Sequence, residues 1–165
     1  VCLAIRKFTG LDAKIKWPND VIVGNKKICG ILTEMTAQTD MVDFVVIGIG
    51  INVLQESFPE EIAYKATSLK IETKSEPDLS ELMHEIIATL DKTILSYLFG
   101  ISQDDLKLYK SMCATIGREV SLVRNGEKLT GKAIDITADG ELVVCLENGK
   151  KIAVNSGEVT VQGIY

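Results

Sequence analysis

Apolar residues recur three and four positions apart at Val1, Ala4, Ile5 and Phe8, the spacing of one helix face. Gly10 stands where a helix C-cap is expected. No capping residue precedes Val1, so the pattern reads as a helix joined part-way. Ala13 to Trp17 predicts a short strand that ends at Pro18. Val21-Ile22-Val23 and the segment Lys27 to Met35 flank Gly24-Asn25, a turn signal, and predict a hairpin. Asp43 to Asn52 predicts a third strand or a pair of strands. Its continuous apolar run Val45-Val46-Ile47 is the pattern of a strand covered on both faces. Pro59 to Ala66 reads as a short helix or turn. Pro77-Asp78 then opens a long helix, with Asp78 as N-cap and Glu81 three residues on as in a capping box. Leu79, Leu82, Met83, Ile86, Ile87, Leu90, Ile94, Leu95 and Leu98 keep helical period as far as Gly100, and a short helix follows over 103–112.

The pattern changes after Met112. Three turn dipeptides, Asn125-Gly126, Asp139-Gly140 and Asn148-Gly149, separate alternating segments such as 119–123, 132–136 and 141–144. Closely spaced short strands with tight turns predict a small barrel or sandwich. The expected division is therefore a domain over 1–111 and a second over 112–165. The elements mix helices and strands in the first part and are all-β in the second.

Composition narrows the class. A chain of 165 residues suits one domain, or a medium domain plus a small one. Hydrophobic content of 46% and charged content of 25% are those of a soluble globular protein. A formal charge of −5 argues against nonspecific nucleic-acid binding. The four cysteines, Cys2, Cys29, Cys113 and Cys145, form no CxxC pair, and free thiols in a reducing cytoplasm are expected. No apolar run approaches the roughly 20 residues of a membrane span. Val1 opens directly into helical pattern with no basic segment, so no signal peptide is expected, and the absence of an initiator Met points to a fragment or to processing. His84, the one histidine, falls on the polar side of the long helix, so no histidine triad or zinc site is expected.

The residues suited to chemistry cluster early. Lys16 and Lys27 are compact cations with three donors each, able to meet a carboxylate or phosphate. A hairpin between them brings both toward one end of a sheet; solvated surface lysines are the plainer alternative. Asn19-Asp20 after Pro18 is either an Asx turn or a functional pair, an amide for a nucleobase edge and a carboxylate to orient a lysine or hold a metal. Gly30, Gly48 and Gly50 lie in or beside apolar strands. There a glycine marks a bulge, or a place where a flat ligand meets bare backbone. Asn52 can close such a pocket. The Gly48-x-Gly50 lacks the third glycine and following helix of a dinucleotide fingerprint. Trp17 is expected in the core.

Three linked motifs carry a resemblance: Lys16-Trp17-Pro18-Asn19-Asp20, then Lys27-Ile28-Cys29-Gly30-Ile31-Leu32 with Glu34, then Val46-Ile47-Gly48-Ile49-Gly50-Ile51-Asn52-Val53. In order and spacing they resemble the biotin protein ligases. The resemblance implies the fold class α+β: a catalytic domain akin to the class II aminoacyl-tRNA synthetases over 1–111, with a mixed sheet and helices, followed by a small all-β SH3-like barrel over 112–165. It implies activation of biotin by ATP and Mg2+ to biotinyl-5′-AMP, and transfer of biotin to a lysine of a biotin carboxyl carrier protein. Lys27 matches the lysine that bridges biotin carboxylate and α-phosphate. Lys16 and Asp20 match the charged ends of the first motif. Asn19 and Asn52 match adenine-side amides, and Gly30, Gly48 and Gly50 match backbone beside the biotin ring. Gly157-Glu158 resembles a step of the C-terminal domain near the nucleotide.

Family members also carry a glycine- and arginine-rich loop upstream of these motifs. Here the arginines are Arg6, Arg118 and Arg124, none in such a cluster. This chain alone is therefore expected to bind biotin and ATP weakly and to turn over little. Contact with DNA is expected only through an upstream domain. Edge strands around 40–50 suggest a homodimer. A lipoyl-type acyl ligase and a noncatalytic binding module remain as alternatives.

Overall fold

The computed structural model describes residues 1–38, 41–97, 100, 102–124, 126–155, 157 and 159–165. The first helix, α1 (Cys2–Thr9), ends at Gly10, whose φ of 73° lets its N–H return to the Arg6 carbonyl at 2.9 Å. Three strands follow, β1 (Lys14–Lys16), β2 (Asp20–Val23) and β3 (Lys26–Gln38), and then β4 (Met41–Ile51). They form one sheet in the order β1-β2-β3-β4 with antiparallel ladders throughout. The expected mixed sheet is thus antiparallel among the described residues. Parallel pairing there is confined to the isolated bridges Ile15–Cys113 and Lys27–Ala66. The β2–β3 turn has φ of 54° at Gly24 and 69° at Asn25, the doubly left-handed form whose twist suits a two-residue hairpin.

Period-two alternation in β2 decides how the molecule is assembled. Val21 and Val23 enter one apolar cluster with Ile5, Ile28, Leu69 and Leu82. Ile22, pointing the other way, enters a second cluster with Trp17, Val120 and Leu142. The first cluster is roofed by α1, α3 (Leu69–Thr73) and α4 (Leu79–Tyr97), after the short α2 (Glu60–Ala63). Asp78 caps α4, its Oδ1 accepting from the N–H groups of Ser80 and Glu81. Helix α5 (Gln103–Met112) leads to the second cluster. Met112 belongs to the first cluster and Cys113 to the second.

The second half is all-β. Strands β5 (Glu119–Arg124), β6 (Glu127–Ile136), β7 (Leu142–Leu146), β8 (Lys151–Val154) and β9 (Val159–Val161) pair antiparallel in the order β8-β7-β6-β5-β9. Val154 at one edge and Val159 and Val161 at the other feed the same core, which requires the sheet to curve around it. Gly140 and Gly149 have φ of 82° and 81°, as their turn dipeptides demand. Asn125, Leu98 and Glu158 lie outside the described residues.

Two apolar patterns are only partly covered within the described residues. Val45, Val46 and Ile47 are 49%, 50% and 41% exposed rather than covered on both faces. They lie on β4, which among the described residues pairs with β3 alone. The stripe on α4 is also wider than the face it buries: Leu82 is in the core, whereas Leu79, Met83, Ile87, Ile94 and Leu95 are exposed. Trp17 is buried, and His84 is exposed with its Nδ1 2.8 Å from the Ser80 carbonyl. All four cysteines are free thiols, three buried and Cys145 half-buried.

Candidate active site

Strand register aligns the three motifs. Lys16 is opposite Asp20, Asp20 opposite Gly30, and Gly30 opposite Gly50, one row across four strands. Lys27, three residues before Gly30 on β3, reaches back to this row, and its Nζ sits 2.6 Å from Asp20 Oδ1. The bare face of Gly30 is what admits it. A Cβ there would lie 2.9 Å from Lys27 Nζ and 3.5 Å from Asp20 Oδ1. The Lys27 backbone is fixed on both sides, its N–H donating to the Lys65 carbonyl at 2.7 Å and its carbonyl accepting from Thr67 N–H at 2.9 Å. The Asp20 carboxylate is largely buried, while the Lys27 side chain is 42% exposed toward the cavity.

Both asparagines are clasps. Asn19 Nδ2 donates to the Ile31 carbonyl at 2.7 Å, and Ile31 N–H donates to the Asn19 carbonyl at 2.9 Å. Asn52 Nδ2 donates to the Thr67 carbonyl at 3.0 Å, and its backbone joins Ile28 to Leu69. Each amide thus commits one hydrogen to backbone and keeps its carbonyl and second hydrogen for other use.

Two cavities meet here. A cleft of about 680 Å³ is lined by Lys16, Asn19, Asp20, Lys27, Asn52, Phe58, Lys65 and Tyr165, with Gly157 at its edge. A shallower groove of about 450 Å³ runs over Gly30, Gly48 and Gly50, with Ile31, Leu32 and Ile49. Asn19 and Lys27 line both. A cation at the junction of a polar cleft and a bare-backbone groove can draw together two anions, one from each side. All eight residues expected from the sequence line one cavity or the other.

One site residue escaped the sequence reading. Tyr165 comes from the far end of the chain, and its hydroxyl donates to Asp20 Oδ2 at 2.9 Å. Its ring centroid is 4.4 Å from Lys16 Nζ. A single aromatic after Gly163-Ile164 carries no local signal; only the packing of the small domain brings it to the cleft. Among the described residues no cluster of three or more His, Cys, Asp or Glu is arranged for a metal.

Residues 1–52 match the biotin/lipoate A/B protein ligase family, and residues 115–161 match the biotin protein ligase C terminal domain. An α+β half bearing the site, joined to a small all-β half, is the architecture this class of ligases combines. The chain is 36% identical over 154 residues to the bifunctional ligase/repressor BirA of Bacillus spizizenii, covering 92% of this chain and 47% of that protein. It is 33% identical over 150 residues to the biotin–[acetyl-CoA-carboxylase] ligase of Mycobacterium tuberculosis, covering 90% and 53%. The biotin protein ligase from Aquifex aeolicus in complex with biotin and ATP superposes with a TM-score of 0.82 at 28% identity, covering 98% of this chain and 66% of that one. The chain belongs to the biotin protein ligase family. It spans about half the length of the curated relatives it matches.

Proposed function

We propose that the protein carrying this chain activates biotin with ATP to biotinyl-5′-AMP and transfers biotin to a lysine of a biotin carboxyl carrier protein. The observation that carries this reading is the pair of cavities sharing Lys27. The biotin ring lies in the glycine groove and the nucleotide in the polar cleft. A biotin carboxylate oxygen attacks the α-phosphorus, the bond to the β-phosphate breaks, and pyrophosphate leaves. The carrier lysine amine then attacks the acyl carbon of the mixed anhydride, and AMP leaves. Lys27 is the catalytic cation. It brings carboxylate and α-phosphate together and stabilises the charge that spreads over the phosphate oxygens. Asp20 orients Lys27, and Lys16 supplies a second cation in the cleft. Asn19 and Asn52 offer their remaining amide groups to the adenine.

Mg2+ enters as part of the nucleotide. Asp20 already receives Lys27 on one oxygen and Tyr165 on the other, so it is poorly suited to ligate a resident ion. Mg2+ is commonly carried on substrate phosphates, and no step here depends on a protein-held one. Free thiols fit a cytoplasmic setting, and no helix among the described residues is long and apolar enough to cross a membrane. Met112 enters the first core cluster and Cys113 the second, one residue past the proposed domain division at 111/112, although Trp17 and Ile22 of the first half also enter the second cluster. The exposed apolar run on β4 supports a homodimer paired through that edge, which light scattering would reveal as twice the monomer mass.

The test is biotin-dependent exchange between ATP and pyrophosphate. Lys27→Met is expected to lose about 100-fold or more, the order seen when a transition-state charge partner is removed. Lipoate in place of biotin is expected to support none. Preference for lipoate would give the site to lipoyl chemistry instead, and an unimpaired Lys27→Met would remove Lys27 from its role.

A further inference from the structure

We infer that Tyr165 is a positioning residue of the adenylation site, through which the small all-β half sets the cations contributed by the catalytic half. The inference rests on the ligase reading above and adds a residue to it. Two contacts carry it. The Tyr165 hydroxyl donates to Asp20 Oδ2 at 2.9 Å, leaving Oδ1 to Lys27 Nζ at 2.6 Å. The face of the ring holds Lys16 Nζ at 4.4 Å from its centroid, within cation–π range. Tyr165 thus touches the carboxylate that aims Lys27 and the second cation as well.

A purely structural reading is weaker. The residue that anchors this segment in the core is its neighbour Ile164, 1% exposed and bridged to Val161. Tyr165 is 38% exposed and lines the cleft. Burial of the phenol and its bond to Asp20 push its pKa above the ordinary range, so it remains a donor at neutral pH. With Oδ2 occupied by this donor, the Asp20 carboxylate has one preferred rotation. That rotation presents a single oxygen to Lys27 and leaves the other ammonium hydrogens for ligand anions. The ring separately holds Lys16, because a π face attracts a cation.

The two contacts predict different kinetic effects. Tyr165→Phe keeps the ring and removes the hydroxyl; kcat for exchange should fall about tenfold with little change in KM for ATP. Tyr165→Leu removes both contacts and should also raise KM for ATP several-fold. Melting temperature should hold for Tyr165→Phe. In an Asp20→Asn background, Tyr165→Phe should lower kcat for exchange by less than a further twofold, because the group it acts through has changed. Full kcat in Tyr165→Phe, or additive losses in the double variant, would overturn the inference. A separate arm needs no turnover: the ε-methylene protons of Lys16 should be shifted upfield by the Tyr165 ring and return to ordinary positions in Tyr165→Leu. Absence of that shift in the unmodified protein overturns the inference even if exchange is robust. If exchange is absent but the shift is present, the ligase reading fails and the placement of Lys16 by Tyr165 stands.

Discussion

A side chain on Gly30 would meet the end of Lys27, not backbone. The end of a lysine can swing away cheaply, so Gly30→Ala is expected to leave the melting temperature nearly unchanged while displacing the ammonium from Asp20. Exchange activity should fall by at least tenfold. A loss of fold with no specific loss of activity would show that Gly30 serves the strand instead. Its neighbour Cys29 is 1% exposed and its thiol is pushed up to about 11, chiefly by burial. The folded state therefore keeps a proton that the unfolded state releases near the ordinary cysteine range. Below that range the contribution to stability is fully present, and it is lost as pH rises toward 11. Urea titrations should show stability falling between about pH 9 and 11, with Cys29 resisting alkylation in the native state.

At the scale of elements, local chemistry and tertiary cover act separately. The long helix begins where Asp78 begins it, with two N–H groups on one carboxylate oxygen. Asp78→Ala should cost about 1 kcal/mol, measured as a lower midpoint in denaturant with unchanged slope. On its far apolar stripe Leu79, Met83, Ile87, Ile94 and Leu95 are exposed. Strand β4 makes the same point. Val45, Val46 and Ile47 have the composition of a doubly covered strand, yet lie at a sheet edge. Period and propensity reveal an element and its apolar positions. They do not reveal which of those positions finds a partner.

Across the whole molecule, the two halves share groups instead of merely touching. Trp17 stands on the motif of the first half but packs in the core of the second. Its backbone N–H donates to Thr115 Oγ1 at 3.0 Å and its indole N–H to the Gly140 carbonyl at 2.9 Å. Ile15 accepts from Ala114 N–H, and Arg118 reaches Asn25 Oδ1. Trp17 is the sole tryptophan, so its fluorescence reads this junction. Thermal unfolding followed by fluorescence and by far-ultraviolet circular dichroism should coincide. Trp17→Phe, which loses the indole donor, should lower the transition and separate the unfolding of the two halves as followed by circular dichroism. Coincident, unshifted transitions in that variant would show that the junction contributes no coupling.

The sequence by itself determined the motifs, the hairpin turn at Gly24-Asn25, the helix starts and the change of pattern after Met112. Each of these depends on neighbours a few residues away: a left-handed turn, a side-chain cap, an alternation. It also nominated eight candidate residues in three short motifs, all of which line one of the two cavities. Only the tertiary structure decided how they are brought together. The row from Lys16 to Gly50 exists through strand register, and the place of Lys27 depends on the empty face of Gly30. Tyr165 is the clearest case. It stands 145 positions from Asp20, and contact at that distance is made by packing two cores together, which no local pattern encodes.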